Sequence, residues 1–176
     1  MLADKLKYKV RVNLSCDFCK ACSPSIETRR SVITSCENKS LSELASGSFA
    51  IEEIPDGVCS SCKHTGIIKK SDMLVFPSVL AVHIKRFKYD NGQVVKIYAG
   101  IKDPLEQVQI SGRCYEVSAV VCHEGHPTSG HYIALVRDKT NKDLWWHCND
   151  AIVTAAQTAE ACLKAKEGYL FFLQLV

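Results

Sequence analysis

The chain has 176 residues and a mass of 19.5 kDa, and 47% of it is hydrophobic against 23% charged, which excludes disordered, collagen-like and low-complexity classes and predicts about one domain. Twenty-two Lys plus Arg against 19 Asp plus Glu leave a formal +3, too little to imply a nucleic-acid partner unless it is clustered, and the pairs Lys69-Lys70 and Lys85-Arg86 read as solvated faces. The longest apolar stretch, Tyr169 to Val176, falls far short of the ~20 residues that cross a bilayer, and Met1 to Lys5 lacks a signal-peptide core, so no membrane role is expected and the setting is cytoplasmic and/or nuclear.

Leu6 to Leu14 alternates apolar and polar, with Tyr8, Val10, Val12 and Leu14 on one face, which predicts a half-buried strand. It runs into Cys16-Asp17-Phe18-Cys19, and Cys59-Ser60-Ser61-Cys62 repeats the spacing. A C-x-x-C knuckle lets two thiolates on one tight turn reach a single tetrahedral ion. Two knuckles therefore predict a structural four-sulfur zinc site with no position left for water. The intervening stretch, Lys20 to Val58, is longer than in compact ribbons, so the knuckles are expected at the tips of separate hairpins joined by the metal. Cys22 lies three residues beyond Cys19 and offers a second register for the first knuckle; Cys16/Cys19 is the preferred one, with redox or unmetallated thiols as the alternative. Ten Cys with no export signal favour metal over disulfides. Cys36, Cys114, Cys122, Cys148 and Cys162 are expected as small core residues.

Ser40-Leu41-Ser42-Glu43 is a capping box that opens a short helix through Ala45, which Gly47 can end. After Pro77, Val79 to Phe87 reads as a strand with Leu80, Val82 and Ile84 on one face and Ala81, His83, Lys85 and Phe87 on the other. Asn91-Gly92 is a hairpin turn leading into Gln93 to Tyr98. Further strands are expected at Tyr115 to Cys122, His131 to Arg137, Leu144 to Cys148 and Tyr169 to Val176, and a helix at Thr154 to Lys166 that stops before Gly168. The class is α+β, with a mostly antiparallel sheet and a zinc-tied extension.

His123-Glu124-Gly125-His126-Pro127-Thr128-Ser129-Gly130-His131-Tyr132 reads as a loop that launches a strand at His131, placing an imidazole at the sheet edge where a general base can reach substrate. Asn149-Asp150 follows the next strand, and a carboxamide or carboxylate there can fix the tautomer of that imidazole.

The ordered set Leu80 to Phe87, Tyr115 to Val121, His123-x-Gly125, Gly130-His131-Tyr132, Trp145 with Asn149-Asp150 and Val153, and Gly168 to Phe172, preceded by the two knuckles, resembles the ubiquitin-specific protease family over nearly the whole chain. The resemblance implies a papain-like cysteine protease palm over about residues 77–176 and zinc-binding fingers over about 6–76, together forming one partial catalytic domain. It implies ubiquitin or ubiquitin-conjugated proteins as partners and hydrolysis at the ubiquitin carboxy-terminus. By the same resemblance His131 is the general base, Asn149 orients it and Asp150 assists. His123 and Tyr132 line the cleft, and Gly130 leaves room for the glycine tail of the substrate. The family's helical thumb half, with its nucleophilic cysteine box, finds no counterpart in this sequence. The isolated chain is therefore expected to be inactive unless an amino-terminal half completes it. A non-catalytic ubiquitin-binding scaffold is the alternative.

Overall fold

The computed structural model describes residues 2–176. A one-turn helix, α1 (Leu2–Lys5), leads into β1 (Tyr8–Cys16), β2 (Cys22–Arg29) and β3 (Ser31–Ser35); α2 (Leu41–Gly47) then precedes β4 (Glu52–Val58) and β5 (Thr65–Met73). There follow β6 (Val79–Lys85), the hairpin β7 (Phe87–Asp90) and β8 (Gln93–Lys96), β9 (Val108–Ile110), β10 (Arg113–His126) and β11 (Ser129–Arg137). The chain closes with β12 (Leu144–Asn149), β13 (Ile152–Gln157), α3 (Thr158–Ala165) and β14 (Gly168–Leu175).

These strands form two main sheets. One has the order β2-β1-β5-β4, and the larger has the order β13-β12-β11-β10-β14-β6-β3 with β9 added on β10. The pairing of β3 with β6 is parallel, and the others are antiparallel. Leu80, Val82 and Ile84 are fully buried, as the alternation requires, and join Tyr115, Val117, Val120, Leu135, Trp145, Phe171 and Leu173 in one core. Each such side chain contributes about 1.5–3 kcal/mol when buried. The helix α2 enters this core through Leu41, Leu44 and Ala45, and α3 enters through Ala161 and Ala165. The capping box forms: the Glu43 amide donates to Ser40 Oγ at 3.2 Å and the Ser40 amide to Glu43 Oε2 at 2.8 Å.

Arg86 is 1% exposed and has no hydrogen-bonded carboxylate partner among the described residues. Its guanidinium donates to the carbonyls of Gly168 (2.8 Å), Ala99 (2.8 Å) and Lys166 (2.7 Å), so it ties the end of β6 to the start of β14 and adds nothing to a surface basic patch.

Several expectations are corrected. Thr154 to Gln157 is strand, not helix, because Trp145↔Ala156 and Trp146↔Ala155 pairing with β12 outweighs the helix propensity of Ala. Gly168 opens β14 and is no left-handed helix cap; a Cβ there would lie 2.4 Å from Phe171 Cζ, so the position is closed to a side chain by packing. A register shift between Val117 and Ala119 moves the buried face of β10 from Tyr115 and Val117 to Val120 and Cys122. Of the five cysteines expected in the core, Cys36 and Cys122 are buried, whereas Cys114, Cys148 and Cys162 are half-buried.

Candidate catalytic pair and four-thiol cluster

The hairpin of β11 and β12 brings His131 and Asn149 together. Ala134 pairs with Cys148, so the next residue, Asn149, falls opposite Ile133, and His131 lies two positions further along the same face. That diagonal is within reach of two such side chains. His131 Nε2 and Asn149 Oδ1 are 2.7 Å apart. A carboxamide oxygen only accepts, so Nε2 carries the proton and Nδ1 keeps its lone pair as the basic atom. Asp150 sits beside them in the turn, with φ 50°.

The register of this hairpin is held by Asp138, to which the sequence reading gave no role. Its carboxylate accepts from the amides of Thr140 (2.8 Å) and Asn141 (2.9 Å), from the Thr140 hydroxyl (2.7 Å) and from Trp146 Nε1 (2.9 Å). The Thr140 hydroxyl and then the Trp146 indole hold this carboxyl well below the usual range. An Asp followed two and three residues on by Thr-Asn was the available sign.

The segment expected as a loop, His123 to Gly130, is instead the tight end of the β10–β11 hairpin, with His123↔Tyr132, Glu124↔His131 and Gly125↔Gly130 in register. Backbone pairing wins over the turn signals of Gly125 and Gly130, leaving Pro127-Thr128 as the turn. His123 is 3% exposed and packs edge-on against Phe87 (centroids 5.2 Å) and Tyr132 (4.8 Å). Tyr132 itself is half-exposed, and Tyr169 completes the aromatic row. A Cβ on Gly130 would lie 1.9 Å from His123 Nε2 and 2.7 Å from the Glu124 carbonyl oxygen, so that space is already filled by the ring of His123. Burial, and then the Lys96 charge, push the His123 imidazole below its ordinary value. Lys96, 6% exposed, donates to the His123 carbonyl at 2.6 Å and so pins the β7–β8 hairpin to the β10–β11 hairpin; no sequence pattern marked it.

At the far end of the smaller sheet, the sulfurs of Cys16, Cys19, Cys59 and Cys62 all lie within 4.8 Å of one another, with Cys16···Cys62 at 3.7 Å and Cys19···Cys59 at 3.8 Å. Four sulfurs placed tetrahedrally at ~2.3 Å from one ion have edges of about 3.8 Å. The donor set therefore fits zinc in both chemistry and spacing. The two knuckles share one backbone design. Lys20 and Lys63 follow the second cysteine of each with φ 60° and 62°. Their amides donate to the Cys16 and Cys59 carbonyls, and Cys16 and Cys59 in turn donate to the Ala21 and His64 carbonyls. Amides of Cys62 and Ser61 directed at its sulfur bring the Cys59 thiol down to about 6. Cys22 begins β2 opposite Ser15, and its sulfur is outside the cluster.

None of the ten cysteine sulfurs hydrogen-bonds His131 among the described residues. Burial pushes the Cys122 thiol up to about 12, which keeps it protonated and unreactive.

Residues 5–173 match the family model described as ubiquitin carboxyl-terminal hydrolase. The chain is 31% identical over 129 residues to ubiquitin carboxyl-terminal hydrolase 21 of Rattus norvegicus (68% of this chain, 22% of that protein), and 34% identical over 136 residues to ubiquitin carboxyl-terminal hydrolase 51 of Mus musculus (65% and 20%). It thus spans about a fifth of the length of these relatives. Among solved structures, a chain of the Ubp8/Sgf11/Sus1/Sgf73 SAGA DUB module bound to monoubiquitin superposes with a TM-score of 0.82 at 24% identity, covering 97% of this chain and 41% of that one. The same module bound to ubiquitin aldehyde gives 0.78 at 22% identity, with the same coverage. These structural likenesses fix the fold, and with the match over residues 5–173 they make the chain a member of the ubiquitin carboxyl-terminal hydrolase family.

Proposed function

We propose that this chain is the base-bearing part of a thiol-dependent deubiquitinase, with His131 as general base, Asn149 as its orienting partner, and the nucleophilic cysteine supplied from outside this chain. The observation that carries this reading is the 2.7 Å His131–Asn149 hydrogen bond, which leaves Nδ1 free on a solvent-exposed ring. Such an arrangement has one evident use, removal of a proton from a thiol brought against it. The opposite face of the same hairpin carries Tyr132, Val136 and Trp146, which are 51%, 38% and 36% exposed.

In the assembled site, the thiol proton passes to His131 Nδ1 and the thiolate adds to the carbonyl carbon of the ubiquitin carboxy-terminal glycine. His131 returns the proton to the departing lysine amine as the C–N bond breaks. Water, deprotonated by the same imidazole, then hydrolyses the thioester and frees the ubiquitin carboxylate and the thiol. Asp150, on the turn after Asn149, supports the same end of the hairpin. His123, Gly130 and Tyr132 shape the approach of the tail. The four-thiol cluster holds zinc in a closed coordination shell, with a structural role in the fingers.

A second reading, a ubiquitin-binding scaffold without catalysis, is favoured by the lack, among the described residues, of any sulfur bonded to His131. The zinc-loaded chain is mixed with ubiquitin bearing a thiol-reactive carboxy-terminal group and followed by intact mass. No adduct, with ubiquitin binding retained in His131→Ala, is expected. Reconstitution with the amino-terminal part of a full-length relative then separates the readings: activity that His131→Ala abolishes supports the base-bearing role, and its absence supports the scaffold. An adduct on one cysteine of this chain alone refutes the outside nucleophile.

A further inference from the structure

The two main sheets end in four edge strands, three of them protected, and β9 is a short fifth edge whose Gln109 amide donates to Ser42 Oγ and whose carbonyl accepts from Ser46. The strand β2 carries Pro24, Glu27 and Arg29, and β4 carries Glu52, Glu53, Pro55 and Asp56. Proline and charge are the usual devices against strand addition. The strand β3 is uncharged, but two of its carbonyls are occupied, that of Ser31 by the Tyr8 hydroxyl (3.0 Å) and that of Ile33 by the Ser48 hydroxyl (3.1 Å).

The fourth edge, β13, has none of these. Its sequence is Ile-Val-Thr-Ala-Ala-Gln, without charge, proline or glycine, and five of its six residues are exposed, with Ile152 at 67% and Val153 at 56%. It pairs with β12 on one side, so alternate residues turn their N–H and C=O groups outward. No hydrogen bond from any described residue other than those of β12 reaches them. The register places Val153 beside Cys148 and Ala134, and Ala155 beside Trp146 and Val136, so the outward row continues an apolar sheet face.

We propose that β13 is a docking edge for an extended segment of a partner protein, which adds as a further strand. The recognised segment has alternating uncharged β-branched residues and basic flanks. The flanks follow from charge: Asp150 precedes β13, while Asp143 and Glu160 stand by its other end, and nearby Lys142 is held by Glu116 at 2.9 Å. The same carboxylates disfavour a second copy of this chain, because antiparallel self-pairing would set the acidic end of one edge against the acidic end of the other. Asn149 is separated from β13 by two residues, so strand addition also steadies the hairpin that carries it.

The test uses the full chain and two synthetic peptides, Lys-Lys-Thr-Val-Thr-Val-Thr-Lys-Lys and its Glu-flanked counterpart, with amide hydrogen exchange as readout. The basic peptide is expected to slow exchange over residues 152–157 saturably, and the acidic one to bind about ten-fold more weakly. The surface variant Val153→Lys/Ala155→Lys should abolish the protection while exchange in β10 and β11 stays native. Absence of protection at millimolar peptide, equal binding of both peptides, or concentration-dependent self-association protecting the same residues would each overturn the proposal.

Discussion

Gly130→Ala should destabilise the chain through one identifiable overlap. The added Cβ would sit 1.9 Å from His123 Nε2, 2.4 Å from its Cε1 and 2.7 Å from the Glu124 carbonyl oxygen. The backbone at Gly130 lies outside the left-handed region, so conformational strain does not contribute. The ring of His123 cannot easily swing aside, being 3% exposed and held between Phe87 and Tyr132. Relief therefore requires a shift of the β10–β11 backbone or ejection of the ring. We expect a loss of about 2–3 kcal/mol, the upper part of the overpacking range. At roughly 2–4 °C per kcal/mol for a chain of this size, Tm falls by about 5–10 °C. Urea denaturation of Gly130→Ala, His123→Ala and the double variant measures the coupling directly. The double variant should be more stable than the sum of the singles implies, by about 1–2 kcal/mol. A Gly130→Ala variant within 0.5 kcal/mol of the parent, or strictly additive effects, would show that some other property of the glycine matters.

Zinc stoichiometry should fall in Cys59→Ser and stay at one per chain in Cys22→Ser, by metal analysis of purified protein; the reverse pattern would place Cys22 in the cluster. The His123 imidazole, depressed by burial, should remain neutral as pH falls through the ordinary histidine range near ~6.5. Because the unfolded chain binds that proton first, stability present above this pH is lost below it, and ring resonances that titrate at the ordinary value would contradict this. Asn149→Ala should free the His131 ring and, in a reconstituted enzyme, lower kcat far more than KM; an unchanged kcat would remove Asn149 from its orienting role.

The parts of the fold that could be read from sequence are those whose burial is one-sided and periodic. Val79 to Lys85 showed its core face through Leu80, Val82 and Ile84, and the capping box at Ser40 located α2. The strand β2 was invisible because none of its eight residues is buried, which leaves no alternation to detect. The strand β13 was mistaken for helix because Thr-Ala-Ala-Gln carries helix propensity, and its strand character comes from pairing with residues nearer the chain start. At the site, His131 and Asn149 were legible as the ends of consecutive strands. The steric reason for Gly130 was not, since it depends on a ring seven positions away that only the hairpin register brings back.

The two sheets differ in how much apolar surface they bury, and this decides which part of the fold a bound metal would support. Along β1, Tyr8, Val10 and Val12 are buried where the strand enters the common core, but beyond them Leu14 is 38% exposed. On β2 Ile26 is 64% exposed, and Val58 on β4 is 63% exposed. The outer half of this sheet thus lacks the buried apolar surface that would offset the entropy of ordering it. Four thiolates on one ion would supply the missing stabilisation, since metal affinity becomes folding free energy when the site exists only in the folded chain. His131 and Asn149 lie on β11 and β12, whose inward residues Ile133, Leu135 and Trp145 are buried in the common core. Chelation should therefore speed amide exchange in Leu14 to Ile26 and Val58 to Ile68, and leave the exchange of β3, α2 and β10 to β12, and the His131–Asn149 hydrogen bond, unchanged. Equal acceleration in both sheets would mean that the chain unfolds as one cooperative unit, with the metal supporting the His131–Asn149 pair as well as the smaller sheet.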